Sequence, residues 1–252
     1  MKLQGAQVMV TGANRGIGFA FVEALLQAGA ATVHAVGRDL ENLETLSALD
    51  RDRIRPLALD VTDAFGIGDL AAATERLDLL INNAGVECPA PALAEDSLAD
   101  MRRVMEVNYF GTLNMCRAFA PALQASSDAV VINVGSASAL LGNGHAGYRA
   151  AAAAQLVLGQ ELRAEFSELG IRLVQVLAGN IDTDLASAAD LPGEPPREVA
   201  AAALAALDSD ESLVLPDRLA QQVVATLCQD RERALRDPQG SWARVLEQLR
   251  TA

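Results

Sequence analysis

The segment Thr11-Gly12-Ala13-Asn14-Arg15-Gly16-Ile17-Gly18 joins a short β-branched run to an amphipathic helical pattern, and few folds place three glycines at that junction. Gly12 permits the tight turn from strand into helix. Gly16 leaves the backbone bare where an anion could approach, and Gly18 lets the helix pack closely on the strand. The start of that helix offers amide donors and the positive end of its dipole, which together suit a pyrophosphate. A glycine triplet alone is weak evidence. Here it stands at the first strand-to-helix turn, where the mechanism requires it.

The same rhythm continues along the chain. Apolar runs at residues 7–10, 32–36, 55–59, 78–81, 129–134 and 172–177, with a weaker one at 213–215, read as strands. Helical patterns at 17–28, 40–49, 98–123 and 146–169 separate them. Such alternation predicts an α/β protein with a parallel sheet covered by helices on both faces. Right-handed crossovers make it doubly wound, a Rossmann fold. No repeat or linker divides residues 1–252, so one domain is expected. The stretch 184–196 contains Pro192, Gly193, Pro195 and Pro196 and is too irregular for a long element. Because it follows a strand's carboxyl end, it is expected to be a short substrate lid. From residue 216 the tail should form two helices, at 218–228 and 241–249, with Trp242 as a packing anchor.

Charge narrows the partners. Twenty basic against 33 acidic residues leave a net charge of −13, which argues against nucleic acid or an anionic membrane. A bound phosphate must therefore be gripped locally. Cys88, Cys116 and Cys228 are widely spaced with no CxxC, as expected of reduced thiols in a cytoplasmic protein with no metal site. No apolar stretch approaches the length of a membrane span, and the N-terminal residues before the first strand carry none long enough for a signal peptide, so a soluble protein is expected.

The three-residue gap between Gly12 and Gly16 resembles that of the short-chain dehydrogenase/reductase family, and the resemblance extends over nearly the whole chain. Asn82-Asn83-Ala84-Gly85 is similar to the family segment that stabilises the sheet centre and contacts the adenosine ribose. Asp60-Val61 matches its adenine contact, and Asn108 its helix-bending asparagine. Ser136 matches the substrate-orienting serine, and Tyr148 the tyrosine that exchanges a proton with the substrate. After the sixth strand, Gly179 keeps the family's turn, while the Ile181 backbone and Thr183 hydroxyl are placed to meet the nicotinamide carboxamide. Asn180 stands where a proline is common, so a looser loop is expected. The resemblance also implies a homodimer or homotetramer built on the helices at 98–123 and 146–169.

Cofactor choice has a physical argument of its own. An NAD enzyme of this kind ends its second strand with a carboxylate for the ribose 2′-hydroxyl. Here Gly37 and Arg38 follow the strand, leaving room and a guanidinium fork for a 2′-phosphate. Arg15 is a second basic group for it, and Asp39 is expected to cap the next helix. NADP(H) is therefore expected.

One position departs from the family. Four residues after Tyr148, on the same helix face, relatives carry a lysine that holds the nicotinamide ribose and lowers the tyrosine's pKa. This chain has Ala152. Arg149 lies about 100° around the helix and reads as a surface or interface side chain, and His145 as a loop histidine. The expected activity is slow reduction of a small carbonyl compound to an alcohol. The alternatives are a nucleotide-binding sensor or partner scaffold, and a non-redox enzyme reusing Ser136 and Tyr148.

Overall fold

The computed structural model describes residues 1–88, 91–95, 97–142, 145–183 and 192–251. Strands β1 (Gln7–Thr11), β2 (Thr32–Gly37), β3 (Ile54–Ala58), β4 (Leu79–Asn82), β5 (Val130–Ser136), β6 (Arg172–Ala178) and β7 (Leu213–Val214) form one sheet. Its order is β3-β2-β1-β4-β5-β6-β7, with every neighbouring pair parallel. Chain direction across the sheet reverses between β1 and β4, so a crevice opens at their carboxyl ends. Pro56 sits in β3, an edge strand, where a missing amide donor is tolerated.

Alternation along the strands builds two cores. Val8 and Val10 of β1 join Leu79 and Ile81 of β4 on one face, and Met9 joins Leu80 on the other. Helices α1 (Gly16–Gln27), α2 (Leu40–Ser47) and α7 (Pro196–Ala205) cover the first core with Phe21, Leu25, Leu43 and Val199. The second lies under α3 (Ala64–Ala72), α5 (Thr112–Gln124) and α6 (Ala146–Glu168), filled by Ile67, Phe119, Leu162 and Phe166. Burial of each such side chain contributes about 1.5–3 kcal/mol. The doubly wound sheet is as the sequence predicts.

The helices differ in detail. The pattern at 98–123 is not one helix but α4 (Ser97–Met105), a π-turn (Glu106–Gly111) and α5. Two contacts impose the break. Asn108 Oδ1 accepts from Val86 N and its Nδ2 donates to Val86 O, both at 2.9 Å. At Gly111 a β-carbon would lie 2.6 Å from Val61 Cγ2, so the turn presses on the loop after β3. The tail forms three helices rather than two, α8 (Arg218–Gln229), α9 (Arg231–Arg236) and α10 (Pro238–Thr251). They share a small core of Leu219, Val223 and Val245, with Trp242 against it. Most of the expected lid, 184–191, lies outside the described residues. Beyond it, Glu194 pairs with Ile181, and Pro196 opens α7.

Candidate active site

The glycine turn is built as its sequence implies. Gly12 and Gly16 have φ of 65° and 55°, the left-handed region that other residues rarely adopt. At Gly18 a β-carbon would lie 2.1 Å from Gly12 O, so α1 rests directly on the turn. Thr11 ties this turn to the loop after β4. Its Oγ1 accepts from Asn83 N at 2.9 Å and Ala84 N at 3.0 Å, while donating to Ile81 O. Asn83 Nδ2 donates back to Thr11 O at 3.0 Å. A cavity of about 500 Å³ opens over this junction. The glycine loop contributes Gly12, Asn14, Arg15, Gly16 and Ile17, and the ends of β2 and β3 contribute Arg38, Asp60 and Val61. Asp39 also faces it, but its carboxylate caps α2, accepting from Glu41 N at 3.0 Å and Asn42 Nδ2 at 2.6 Å. Asp60 Oδ1 is engaged by the Thr62 amide and hydroxyl.

A second cavity, of about 170 Å³, adjoins the first and shares Ile17, Asn83, Ala84, Gly85 and Thr183 with it. Tyr148 from α6, Ser136 from the end of β5 and Asn108 from the π-turn all line it, as do Gly179 and Ile181 after β6. Gly18 lines neither cavity; it acts through packing. Ser136 Oγ accepts from Ser138 N at 3.2 Å and lies 2.8 Å from Ser138 Oγ. Burial raises the Tyr148 phenol above its ordinary value; the Ser136 hydroxyl pulls it back and the Glu87 carboxylate adds to the rise. Ala152 is 5% exposed and gives the cavity only a methyl group.

Several neighbours were not legible as site residues. Arg149 is no surface charge: its Nε donates to Ser138 O at 3.1 Å, bracing the 3-10 turn Ala137–Ala139 beside Ser136. His145 Nδ1 lies 2.6 Å from Glu87 Oε1, and Glu87 lines the cavity. Trp242, expected only to pack, also walls the cavity, together with Leu219 of α8. Only tertiary structure brings those residues near β5. Around Asn180 the described residues of this loop are hydrogen-bonded in place. Gly179 N donates to Asp217 Oδ2 at 2.7 Å, Glu194 N to Asn180 O at 2.9 Å, and Asp182 N to Glu194 O at 2.8 Å. Asp217 is buried and also caps α8 through Ala220 N at 3.0 Å. Burial raises its carboxyl pKa against the pull of these amides.

The joined cavities fit an elongated dinucleotide. Bare glycine backbone and a helix N-terminus suit the diphosphate, and the guanidiniums of Arg15 and Arg38 suit a further phosphate. The hydroxyl-bearing cavity suits a reacting group.

A family model described as short chain dehydrogenase matches residues 6–191. A short chain dehydrogenase of Monascus purpureus is 34% identical over 200 residues, covering 74% of this chain and 68% of its own. The crystal structure of a short chain dehydrogenase from Burkholderia cenocepacia in complex with NADP is similar, with a TM-score of 0.85 and 37% identity over 94% of this chain and 98% of that one. NADPH-bound carbonyl reductase from chicken fatty liver gives a TM-score of 0.74 and 28% identity, covering 84% and 99%.

Proposed function

The chain belongs to the short chain dehydrogenase family, and on that footing we propose that it is an NADP(H)-dependent reductase of small carbonyl compounds. The observation that carries this reading is the meeting of the Tyr148 and Ser136 hydroxyls in a cavity that adjoins the glycine cradle. NADPH, when bound, supplies the hydride. Ser136, oriented by Ser138, hydrogen-bonds the carbonyl oxygen, and Tyr148 donates the proton that oxygen requires as it becomes an alcohol. Retention of both hydroxyls favours catalysis over a nucleotide sensor.

The state of Tyr148 sets the preferred direction. A base for alcohol oxidation must be a phenolate, and with an ordinary pKa near ~10 about one tyrosine in a thousand is ionised at pH 7. Burial here lowers that fraction further. An acid for carbonyl reduction is already in the required state. Cofactor titration of the purified protein, then NADPH turnover with a panel of ketones and aldehydes, tests the reading. Binding without turnover of any carbonyl would favour the sensor or the non-redox enzyme.

Arg38 decides the cofactor. Exposed at the end of β2 and lining the larger cavity, it is placed for a 2′-phosphate. Arg38→Ala should lower the preference for NADPH over NADH by about tenfold or more, the worth of a charge-assisted contact. Direct titration of both cofactors checks it; equal affinities in the unmutated protein would overturn the NADP(H) assignment.

The same reading includes a homodimer or homotetramer. Leu98 on α4, Phe110 in the π-turn and Val157 on α6 expose apolar side chains that pairing of these helices would cover. Sedimentation should give a dimer or tetramer at micromolar concentration, and a monomer alone would refute the assembly. A reducing, cytoplasmic setting suits the three thiols, which form no disulfide among the described residues.

A further inference from the structure

The inward face of α6 carries a polar group besides the tyrosine. Tyr148, Ala152 and Gln155 follow one another at spacings of four and three, and all three line the smaller cavity. Gln155 is 4% exposed. Its Nε2 donates to Thr112 Oγ1 at 3.1 Å and to Val134 O at 3.5 Å. The Thr112 hydroxyl donates onward to Asn108 O at 2.9 Å, so it is an acceptor towards Gln155. These two acceptors fix which end of the amide is nitrogen. They leave Oε1 beside Gly135, where a β-carbon would lie only 2.8 Å away. Gly135 also lines the cavity, and among the described residues nothing donates to Oε1. Gln155 as a whole is nearly buried, and an amide oxygen in such a place is left short of a partner unless a donor meets it there.

We infer that Gln155 is a ribose-binding residue, its Oε1 accepting a hydrogen bond from a hydroxyl of the nicotinamide-side ribose. The inference rests on the NADP(H) reading above. An acceptor selects the part of the cofactor that brings donors to this cavity. The diphosphate has none, and the carboxamide is assigned to Ile181 and Thr183, which leaves the sugar hydroxyls. The amide is neutral, so it can hold the ribose without stabilising a Tyr148 phenolate. Anchoring and acidification, which one ammonium would combine, are then separate, and only anchoring is kept.

Gln155→Met removes the acceptor while keeping the length of the side chain. In the full chain, NADPH affinity, read by fluorescence titration, should fall about tenfold, one hydrogen bond's worth. Affinity for adenosine 2′,5′-bisphosphate, which has no nicotinamide ribose, should not change. An unchanged NADPH affinity, or equal weakening of both ligands, overturns the inference and leaves the reductase reading intact. Failure of the unmutated protein to bind NADPH overturns both. If Gln155→Met does not fold, the unmutated protein still decides. An NADPH analogue lacking the nicotinamide-side ribose hydroxyls should bind about tenfold more weakly, and equal affinity overturns the assignment.

Discussion

Tyr148→Phe should lower NADPH-driven carbonyl reduction by about two to four powers of ten, the range that a positioned general acid supplies, while NADPH affinity changes little. Tyr148 packs against the buried cluster of Cys88, Val104 and Ala151, and phenylalanine keeps that packing. Only the hydroxyl is lost. The unmutated enzyme should also show a characteristic pH profile. Because burial raises the phenol's pKa, the acid stays protonated as pH rises through neutrality, and reduction should fall only above about pH 10. Turnover measured from pH 6 to 11 for both proteins checks both statements. A variant as fast as its parent would shift the proton donor elsewhere, with the His145–Glu87 pair at the cavity the first place to look.

Ala152→Lys should raise alcohol oxidation at neutral pH by roughly one to two powers of ten and carbonyl reduction by less. An ammonium four residues along α6 faces the same cavity as Tyr148 and stabilises its phenolate. A hydrogen bond to a charged group is worth about 1.5–3 kcal/mol, which sets that range. Reduction needs the neutral phenol, so it gains only from better ribose anchoring. Ala152 is nearly buried, and the new charge must be solvated by cavity water or by cofactor hydroxyls. Both directions should be assayed across pH, with Tyr148→Phe as the control. A folded, NADPH-binding variant that gains nothing in either direction would mean that the site has changed beyond one residue, and the non-redox readings would then be better.

What could be read from the sequence depended on whether the signal was local. Strand alternation is local, so the sheet was legible, as was the glycine turn, whose conformation and packing need those residues at those positions. Helix α3 was missed because its nine residues include two glycines and an 89% exposed Phe65, with Ile67 alone buried. Helix α7 is half alanine, which leaves no strong apolar stripe, although Pro196 in its first turn is a start signal. The break inside 98–123 arises from Asn108 clasping Val86, a contact between residues 22 apart. Trp242 and Gln155 carried no motif. The first reaches the cavity because the tail folds back over Ala137 and Leu141, the second because Tyr148 sets the phase of its helix.

Asp217 ties the tail to the loop after β6. One carboxylate oxygen begins α8 and the other holds the Gly179 amide, so the tail cannot be exchanged as an independent cassette. A chimaera that grafts a relative's tail here, to import its substrate preference, must also bring an acid at the 217 position. Otherwise the Gly179 amide is left without its acceptor, and the loop loses one of its fixed points. The wall bearing Trp242 and the turn bearing Gly179 are inherited together.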